Sequence, residues 1–390
     1  MEEELMPNDD PLAHTTQRWP VLAFGLLGLV ALSGALTFMQ AIDGPASLRA
    51  WQIFLVNFLF WTGISQAGVV FSAVLYVTGA QWGKPIRRIA EGMVAFLPLS
   101  VLLFPLLVWG LDVLFPWVHG APGALHGAIA EERALWLHAP FHVARDGIAL
   151  LLLAGLSLVF VYHSLAGRER TSRILSPILL ILYAVVYTLL AFDLVMALDS
   201  QWISTLFGGY FFIGNFYAGL AAIAIATVLM RRCLHLEERM TLSLCHDLGK
   251  LIFGFSLLSF YLFWSQYLTI WYGNLPEETE YIIVRVKEPP WVYLSWAVLL
   301  LAWAIPFLVL LSRNTKRNPL VLSCISGLVV IGMWLERYVL VVPSLWHAEG
   351  LPLGWIEPSI TLSFLAAMLL MYLGFWRVLS RPPPGIARHP

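Results

Sequence analysis

Polar breaks divide this chain into apolar runs long enough to cross a bilayer. Runs of about 20 apolar residues match a hydrocarbon core roughly 30 Å thick, and ten of them occur, at 20–40, 51–78, 87–115, 141–164, 174–198, 203–230, 245–272, 291–312, 319–342 and 358–379. The pattern predicts an all-α integral membrane protein with ten transmembrane helices. The spans fall into two four-helix bundles, spans two to five and six to nine, with the first and tenth flanking them. The expected organisation is a segment 1–19, a membrane domain 20–380 and a tail 381–390, with both termini on one side.

Composition agrees with the pattern. Of 390 residues, 59% are hydrophobic and 12% charged, where soluble domains carry about 25% charge. A net charge of -1 and the absence of a basic patch argue against nucleic acid as a partner. The acidic stretch Met1 to Asp10 lacks the basic start of a signal peptide, so the first run is expected to be retained as a helix. Lys84, Arg87, Arg88, Arg168, Arg170, Arg173, Arg231, Arg232, Arg239, Arg313, Lys316, Arg317, Arg377, Arg381 and Arg388 share one side. Arg49, Arg133, Arg285 and Lys287, with Glu131, Glu132, Glu277, Glu278 and Glu280, fall on the other. The positive-inside rule then puts both termini in the cytoplasm. Tryptophans such as Trp19, Trp51, Trp117 and Trp291 sit near span ends, as interfacial belts require. The longer connections, 116–140 and 273–290, read as ordered caps or as docking surfaces for other subunits.

An internal repeat adds a packing constraint. Gly63-Ile-Ser-Gln-Ala-Gly68 in the second span and Gly214-Asn-Phe-Tyr-Ala-Gly219 in the sixth share the pattern G-x-x-x-A-G, and small residues at that spacing let helix backbones approach closely. Parallel repeats of this kind place binding sites near or between the two bundles.

Charges inside the spans are the candidate chemistry, because each costs roughly 2.5–3.5 kcal/mol to insert. Glu336 and Arg337 stand side by side late in the ninth span. Sorted by depth, the charges form two groups. On the cytoplasmic side are Glu91 and, on one face of the seventh span, His246, Asp247 and Lys250; the bland alternative is interfacial charge with Lys250 snorkelling. On the outer side are His138, His142, Arg145, Asp146, Asp193, Asp199, Glu336 and Arg337, with Arg145 and Arg337 as the cations available to Asp146, Asp193 and Glu336. Water-linked groups of this kind relay protons, and dry ones only hold helices together.

No metal-ligand constellation and no phosphate loop stands out. Cys233, Cys245 and Cys324 lack CxxC spacing, so no iron-sulfur cluster or structural zinc is encoded. Haem held by two of His142, His163 and His246 is an alternative use of the histidines, but their depths disagree.

Two runs carry a family resemblance. Ala191-Phe-Asp-Leu-Val-Met-Ala-Leu-Asp199-Ser-Gln-Trp202-Ile-Ser-Thr-Leu-Phe-Gly208 and Trp334-Leu-Glu-Arg-Tyr-Val-Leu-Val-Val-Pro343-Ser344 resemble the NrfD/PsrC-like membrane subunits of alternative complex III. The stretch Leu137-His138-Ala-Pro-Phe-His142-Val-Ala-Arg-Asp146 looks more like the ActF type than the ActC type. The resemblance implies a subunit of a quinol:electron-acceptor oxidoreductase in the bacterial inner membrane. It implies no covalently bound cofactor in this chain and a quinone, such as menaquinone, as candidate ligand. Haem c and iron-sulfur clusters are expected in partner subunits: an iron-sulfur subunit, an ActC-like paralogue and cytochrome c subunits, all within the lipid-embedded assembly.

The expected function is support of quinol oxidation with proton conduction through two half-channels. The cytoplasmic half would use Glu91, His246, Asp247 and Lys250, and the outer half His142, Asp146, Asp193, Asp199, Glu336 and Arg337. Three readings compete with it: a quinol pocket in which His142 accepts a proton and Asp146 orients it, a structural anchor, and a secondary transporter with broken helices at midplane in both halves.

Overall fold

A computed structural model describes residues 21–119, 136–199, 202–233 and 240–379. The segment 1–19, the tail 381–390, Glu131, Glu132, Arg133, Arg239, Arg381 and Arg388 lie outside these described residues. The rest is helical, with ten helices long and apolar enough to cross a membrane. They are α1 (Val21–Ile42), α2 (Ser47–Thr78), α3 (Lys84–Trp109), α4 (Ala139–Leu165), α5 (Glu169–Leu198), α6 (Phe207–Cys233), α7 (Leu242–Gly273), α9 (Trp291–Leu310), α10 (Pro319–Val341) and α11 (Ile356–Leu379). Each coincides with a predicted run to within six residues at either end, because a bilayer-length apolar run fixes the element while caps fix its ends. Within the connection 273–290, residues 276–286 form a short helix, α8 (Pro276–Val286), between α7 and α9 in the chain.

The hub is α2. Its most apolar window is wholly buried, as expected of a helix that is hydrophobic on every side. It packs against α6, α5, α11, α3 and α10, so each bundle closes around it or against it. Here the repeat does its work. A Cβ on Gly63 would meet Asn215 Oδ1, and one on Gly219 would meet the Ala67 Cβ, both well under 3 Å. The two G-x-x-x-A-G stretches therefore pack against each other and join the bundles, the close approach that small residues permit.

Helix α11 is fastened to α2 by Arg49, whose Nε and Nη2 both donate to Glu357 at 2.8 Å. Outside that, α1 packs mainly on α11, where Gly34 comes against Ser359 and Ser363, and turns Val21, Leu22, Leu26 and Leu29 outward. Two spans are irregular. Helix α3 passes through a 3-10 segment at Gly92–Phe96, and α9 through a π segment at Leu299–Ala304, where Gly332 of α10 comes against the Ala302 backbone. These are the second helix of one bundle and the third of the other. They do not occupy the corresponding positions that the transporter reading requires.

Candidate functional site

The first bundle holds a buried polar centre at the end opposite the basic loops. Along α4 the residues His142, Asp146, Leu150, Leu153, Ser157, Phe160 and Ser164 are all buried, at steps of three and four that keep one face inward. Phe141, Ile148, Leu151, Leu152 and Tyr162 of the same helix face outward. Arg145 reaches across to α5, where its Nε and Nη2 donate to Asp193 Oδ2 at 2.9 and 2.6 Å. Trp136 Nε1 donates to Asp193 Oδ1 at 2.8 Å, and the guanidinium carbon lies 3.8 Å from the Trp136 ring centroid. Asp146 is 4.0 Å from Arg145 Nε and 3.7 Å from His142 Nε2.

Asp146 is fully buried and its neighbours are Asp193, His142 and Arg145, while the two ring nitrogens of His142 make no hydrogen bond of ordinary geometry. Buried polar atoms are rarely left so, and such a cluster calls for a proton, a water or a ligand. Ligand atoms of His142, Asp146 and Asp193 lie within 4.8 Å of one another, a grouping that sequence spacing did not reveal. Both Asp193 oxygens are already engaged by Arg145 and Trp136, so a cation would have to displace a guanidinium. His142 itself is enclosed by the Phe115 and Trp117 rings at 5.7 and 5.3 Å, which leaves it 1% exposed and without the opening that the His142 quinol pocket needs.

Below this centre the interior of the same bundle carries a ladder of polar side chains. Thr62 Oγ1 donates to Ser100 Oγ at 2.9 Å, and Gln66 Nε2 to Ser157 Oγ at 2.9 Å. Ser72 Oγ donates to Glu91 Oε1 at 2.7 Å and Ser164 Oγ to the same oxygen at 2.5 Å. Arg88 Nη1 donates to Glu91 Oε2 at 2.7 Å, and the Tyr76 and Ser164 hydroxyls are 3.0 Å apart. No hydrogen bond links one of these groups to the next: Ser157 and Ser164 are seven residues apart on α4, about 10 Å, with Phe160 and Val161 buried between them, and the widest gap is an apolar layer below Asp146. Asp146 and Ser157 are eleven residues apart on α4, about 16 Å along its axis, and Leu150 and Leu153, with Phe104 against Gly147, fill that interval. Sequence reasoning that looked for charges passed over these residues. Their signal was present in the second span, where Thr62, Ser65, Gln66, Ser72 and Tyr76 repeat at helical steps within an apolar run.

Several predicted groupings do not form. Glu91 takes its partners from the first bundle, whereas His246, Asp247 and Lys250 lie on α7 in the second. Lys250 Nζ pairs with Asp247 Oδ1 at 2.7 Å on a side chain that is 55% exposed. The buried face of that helix end belongs instead to Cys245, Leu248 and Gly249, so the predicted cytoplasmic cluster is divided. Asp199 is separated from Asp193 by the 3-10 turn Met196–Leu198 that closes α5, and it lines a cavity beside α8. His142 and His163 are 21 residues apart on one helix, about 31 Å, which removes them as a haem pair.

The second bundle holds its own centre. Arg337 Nη1 pairs with Glu336 Oε2 at 2.6 Å, its Nη2 reaches Asn215 Oδ1 at 3.2 Å and the Phe211 carbonyl at 3.4 Å, and it stacks over Phe211. Arg337 is thus satisfied within the second bundle and at its seam with the first, and does not serve Asp146 or Asp193. Glu336 faces a cavity of about 90 Å³ that Tyr210, Gln266, Tyr281, Arg285, Trp303 and others line. Tyr281 and Arg285, both on α8, also line a second cavity of about 660 Å³, with Asp199, Glu280, Glu288 and Glu349 around it.

Arg285 is only 5% exposed. Its Nε donates to the Val339 carbonyl at 3.0 Å, and its Nη2 to the Leu340 carbonyl at 3.1 Å and to Ser344 Oγ at 2.6 Å. It thereby caps carbonyls that the end of α10 leaves unpaired, where the helix dipole is negative. Burial lowers its pKa from the usual guanidinium value and pushes the Tyr281 hydroxyl up to about 12. The Tyr281 ring is held between Trp202, stacked at 3.8 Å, and the Arg285 guanidinium at 3.5 Å.

No family model matches the chain. It is similar to cytochrome c oxidase subunit 3 of Chondrus crispus, with 22% identity over 258 residues, 65% of this chain and 87% of that protein.

Proposed function

We propose that the chain is a membrane subunit of a quinol:electron-acceptor oxidoreductase of the alternative complex III kind, ActF type, which supports quinol oxidation and conducts protons. The observation that carries this reading is the row of buried polar groups inside the first bundle, from His142 and Asp146 through Thr62, Gln66 and Ser157 to the fully buried Glu91. A hydrogen bond between neutral side chains in a membrane averages only about 0.6 kcal/mol. Stability alone is therefore a weak reason to bury so many polar groups along one axis, whereas side chains joined by a few waters form a proton relay. The apolar layer at Leu150 and Leu153 would separate the two halves and is where such a relay is gated.

In this reading the chain lies in the bacterial inner membrane with both termini in the cytoplasm, and Glu91 takes protons from the cytoplasmic side. It assembles with an iron-sulfur subunit, an ActC-like paralogue and cytochrome c subunits that hold the redox centres, and menaquinone or another quinone is the reductant. The two motif runs fall at the ends of the fourth helix of each bundle, beside Asp193 and Glu336, and the likeness to a cytochrome c oxidase subunit supports a place in electron transport.

The test is proton release per electron by the complex in proteoliposomes. Asp146→Asn and Glu91→Gln are each expected to lower the ratio while electron transfer continues, and Asp247→Asn, in an exposed pair, to leave it unchanged. Wild-type ratios in both column variants would refute the relay and leave the anchor reading.

A further inference from the structure

An outward-facing groove on the second bundle leads to a fixed cation. The groove, about 320 Å³, lies between α7 and α9 and is walled by Leu257, Phe260, Leu299, Trp303 and Phe307. Its one polar lining residue, Ser256, spends its hydroxyl on the Phe253 carbonyl at 2.7 Å. Leu257 on the wall is exposed, as are Leu300 and Leu308, each next to a wall residue of α9, so the groove opens to the outside of the bundle. From Leu299 to Phe307 it extends about 12 Å along the helix axis, most of one leaflet of a hydrocarbon core roughly 30 Å thick. Its volume is that of a ligand site, typically about 300–1,000 Å³.

The end of the groove nearer the basic loops is built around Lys316. After α9 the chain enters a short helix, Arg313–Arg317, folded back by Thr315, whose Oγ1 lies 2.5 Å from the Val309 carbonyl oxygen. The fold lays the Lys316 stem on α7, where a Cβ on Gly249 would come 2.9 Å from Lys316 Cγ. Lys316 Nζ stands 5.1 Å from the Phe253 ring centroid, and Phe253 stacks on Phe307 of the groove wall at 5.4 Å. Ring contacts thus carry from the ammonium to the groove. Phe253 precedes Leu257 by about one turn, about 6 Å, and the headgroup layer on each side of a bilayer is about 5–8 Å thick. With the groove among acyl chains, Lys316 is therefore at headgroup depth.

The charge at this corner is not neutralised. Lys250, Lys316 and Arg317 all lie close enough to His246 to act on its charge. Asp247 is the carboxylate beside them, and Lys250 Nζ holds it at 2.7 Å. Among the described residues neither Lys316 nor Arg317 forms an ion pair. A lysine that serves only as an anchor extends its head freely into water, whereas this one is held over a ring at the mouth of an apolar groove.

We propose that this corner binds an anionic phospholipid, with its phosphate at Lys316 and Arg317 and one acyl chain in the groove between α7 and α9. Basic pockets between spans recognise lipid headgroups of that charge. A helix of another subunit fits less well, because helix seams in lipid rest on small residues and the walls here are leucine, phenylalanine and tryptophan. The site depends on the membrane fold alone and on no redox reaction.

The experiment is photolabelling of the full chain in detergent with an equimolar amount of phosphatidylglycerol that carries a diazirine midway along one acyl chain. Peptide mapping follows, with competition by unlabelled phosphatidylglycerol or by phosphatidylcholine of the same chains. Label on 256–260 and 299–307 is expected, displaced by phosphatidylglycerol at about fivefold lower concentration than by phosphatidylcholine. Lys316→Gln is expected to remove most of that preference, and Leu257→Trp, which fills the groove from its rim, to remove most of the label. Arg170→Gln, an exposed cation at the start of α5, should change neither. Neither Leu257 nor Lys316 is buried, and thermal unfolding checks that each variant folds. Label spread over the outward faces of α1, α4 and α5, equal displacement by the two lipids, or undiminished label in a folded Leu257→Trp chain would each overturn the proposal. So would loss of the label in the assembled complex, which would give the groove to a partner helix.

Discussion

Arg145→Met isolates the energetics of the first-bundle centre. The wild-type guanidinium gives two charged hydrogen bonds to Asp193, at 2.9 and 2.6 Å, and lies 4.0 Å from Asp146. Methionine keeps most of the stem and removes the charge, which leaves two fully buried carboxylates beside one imidazole. Removing one partner of a buried pair costs about 3–5 kcal/mol, and because the Arg145 side chain is itself 10% exposed, the lower end, about 3 kcal/mol, is expected. Removing both partners is different. In Arg145→Met/Asp193→Leu no unpaired charge remains at the pair, and the orphaned Trp136 N–H belongs to a residue 39% exposed that can turn to interfacial water. About 1 kcal/mol is expected for the double variant. With Asp193→Leu alone completing the cycle, unfolding of the purified chain in mixed micelles measures the coupling, predicted at about 2 kcal/mol or more. A cost below about 1 kcal/mol for Arg145→Met, or a double variant as unstable as the sum of the singles, would show that the centre is hydrated and open rather than buried.

Two further outcomes follow from packing and capping. Gly219→Ala places a Cβ on top of the Ala67 Cβ and is expected to destabilise the joined bundles by about 1–3 kcal/mol, while Gly155→Ala, which meets nothing, should be neutral or stabilising by up to about 1 kcal/mol; thermal unfolding of both variants decides, and equal behaviour would mean the seam is not where the bundles meet. Arg285→Ala uncovers the Val339 and Leu340 carbonyls at the end of α10 and is expected to cost about 2–4 kcal/mol, with faster amide exchange across 339–345 than in the wild type; unchanged exchange there would mean that solvent caps the helix equally well.

The ten spans were legible because each apolar run must satisfy its own backbone within the bilayer, so hydropathy alone fixes their number and approximate ends. The repeat was legible for a related reason: Gly63 and Gly219 announce close approach, although only the fold makes the two stretches each other's partner. The charges, by contrast, could be sorted by depth but not by bundle. Depth is a one-dimensional property that residue number carries, and Glu91 lies early in its span whereas Asp193 and Glu336 lie late in theirs. Depth could not say that Glu91 takes its partners within the first bundle while Asp247 and Lys250 pair on α7 of the second, or that Arg145 rather than Arg337 answers Asp193.

Residues outside the spans show the same limit. Arg285 counted as one loop cation, yet α8 folds it inward to cap α10 and to share a wall between two cavities. Thr62, Gln66, Ser72, Ser157 and Ser164 carried no charge to draw attention, and they became a column only when α2, α3 and α4 closed around them. Sequence determined what each helix must hide from lipid. Which hidden groups face one another, and so whether a buried carboxylate is paired, relayed or open to a ligand, was decided by helix packing, because contact depends on the rotation and neighbours of each helix, which the order of residues along one chain does not specify.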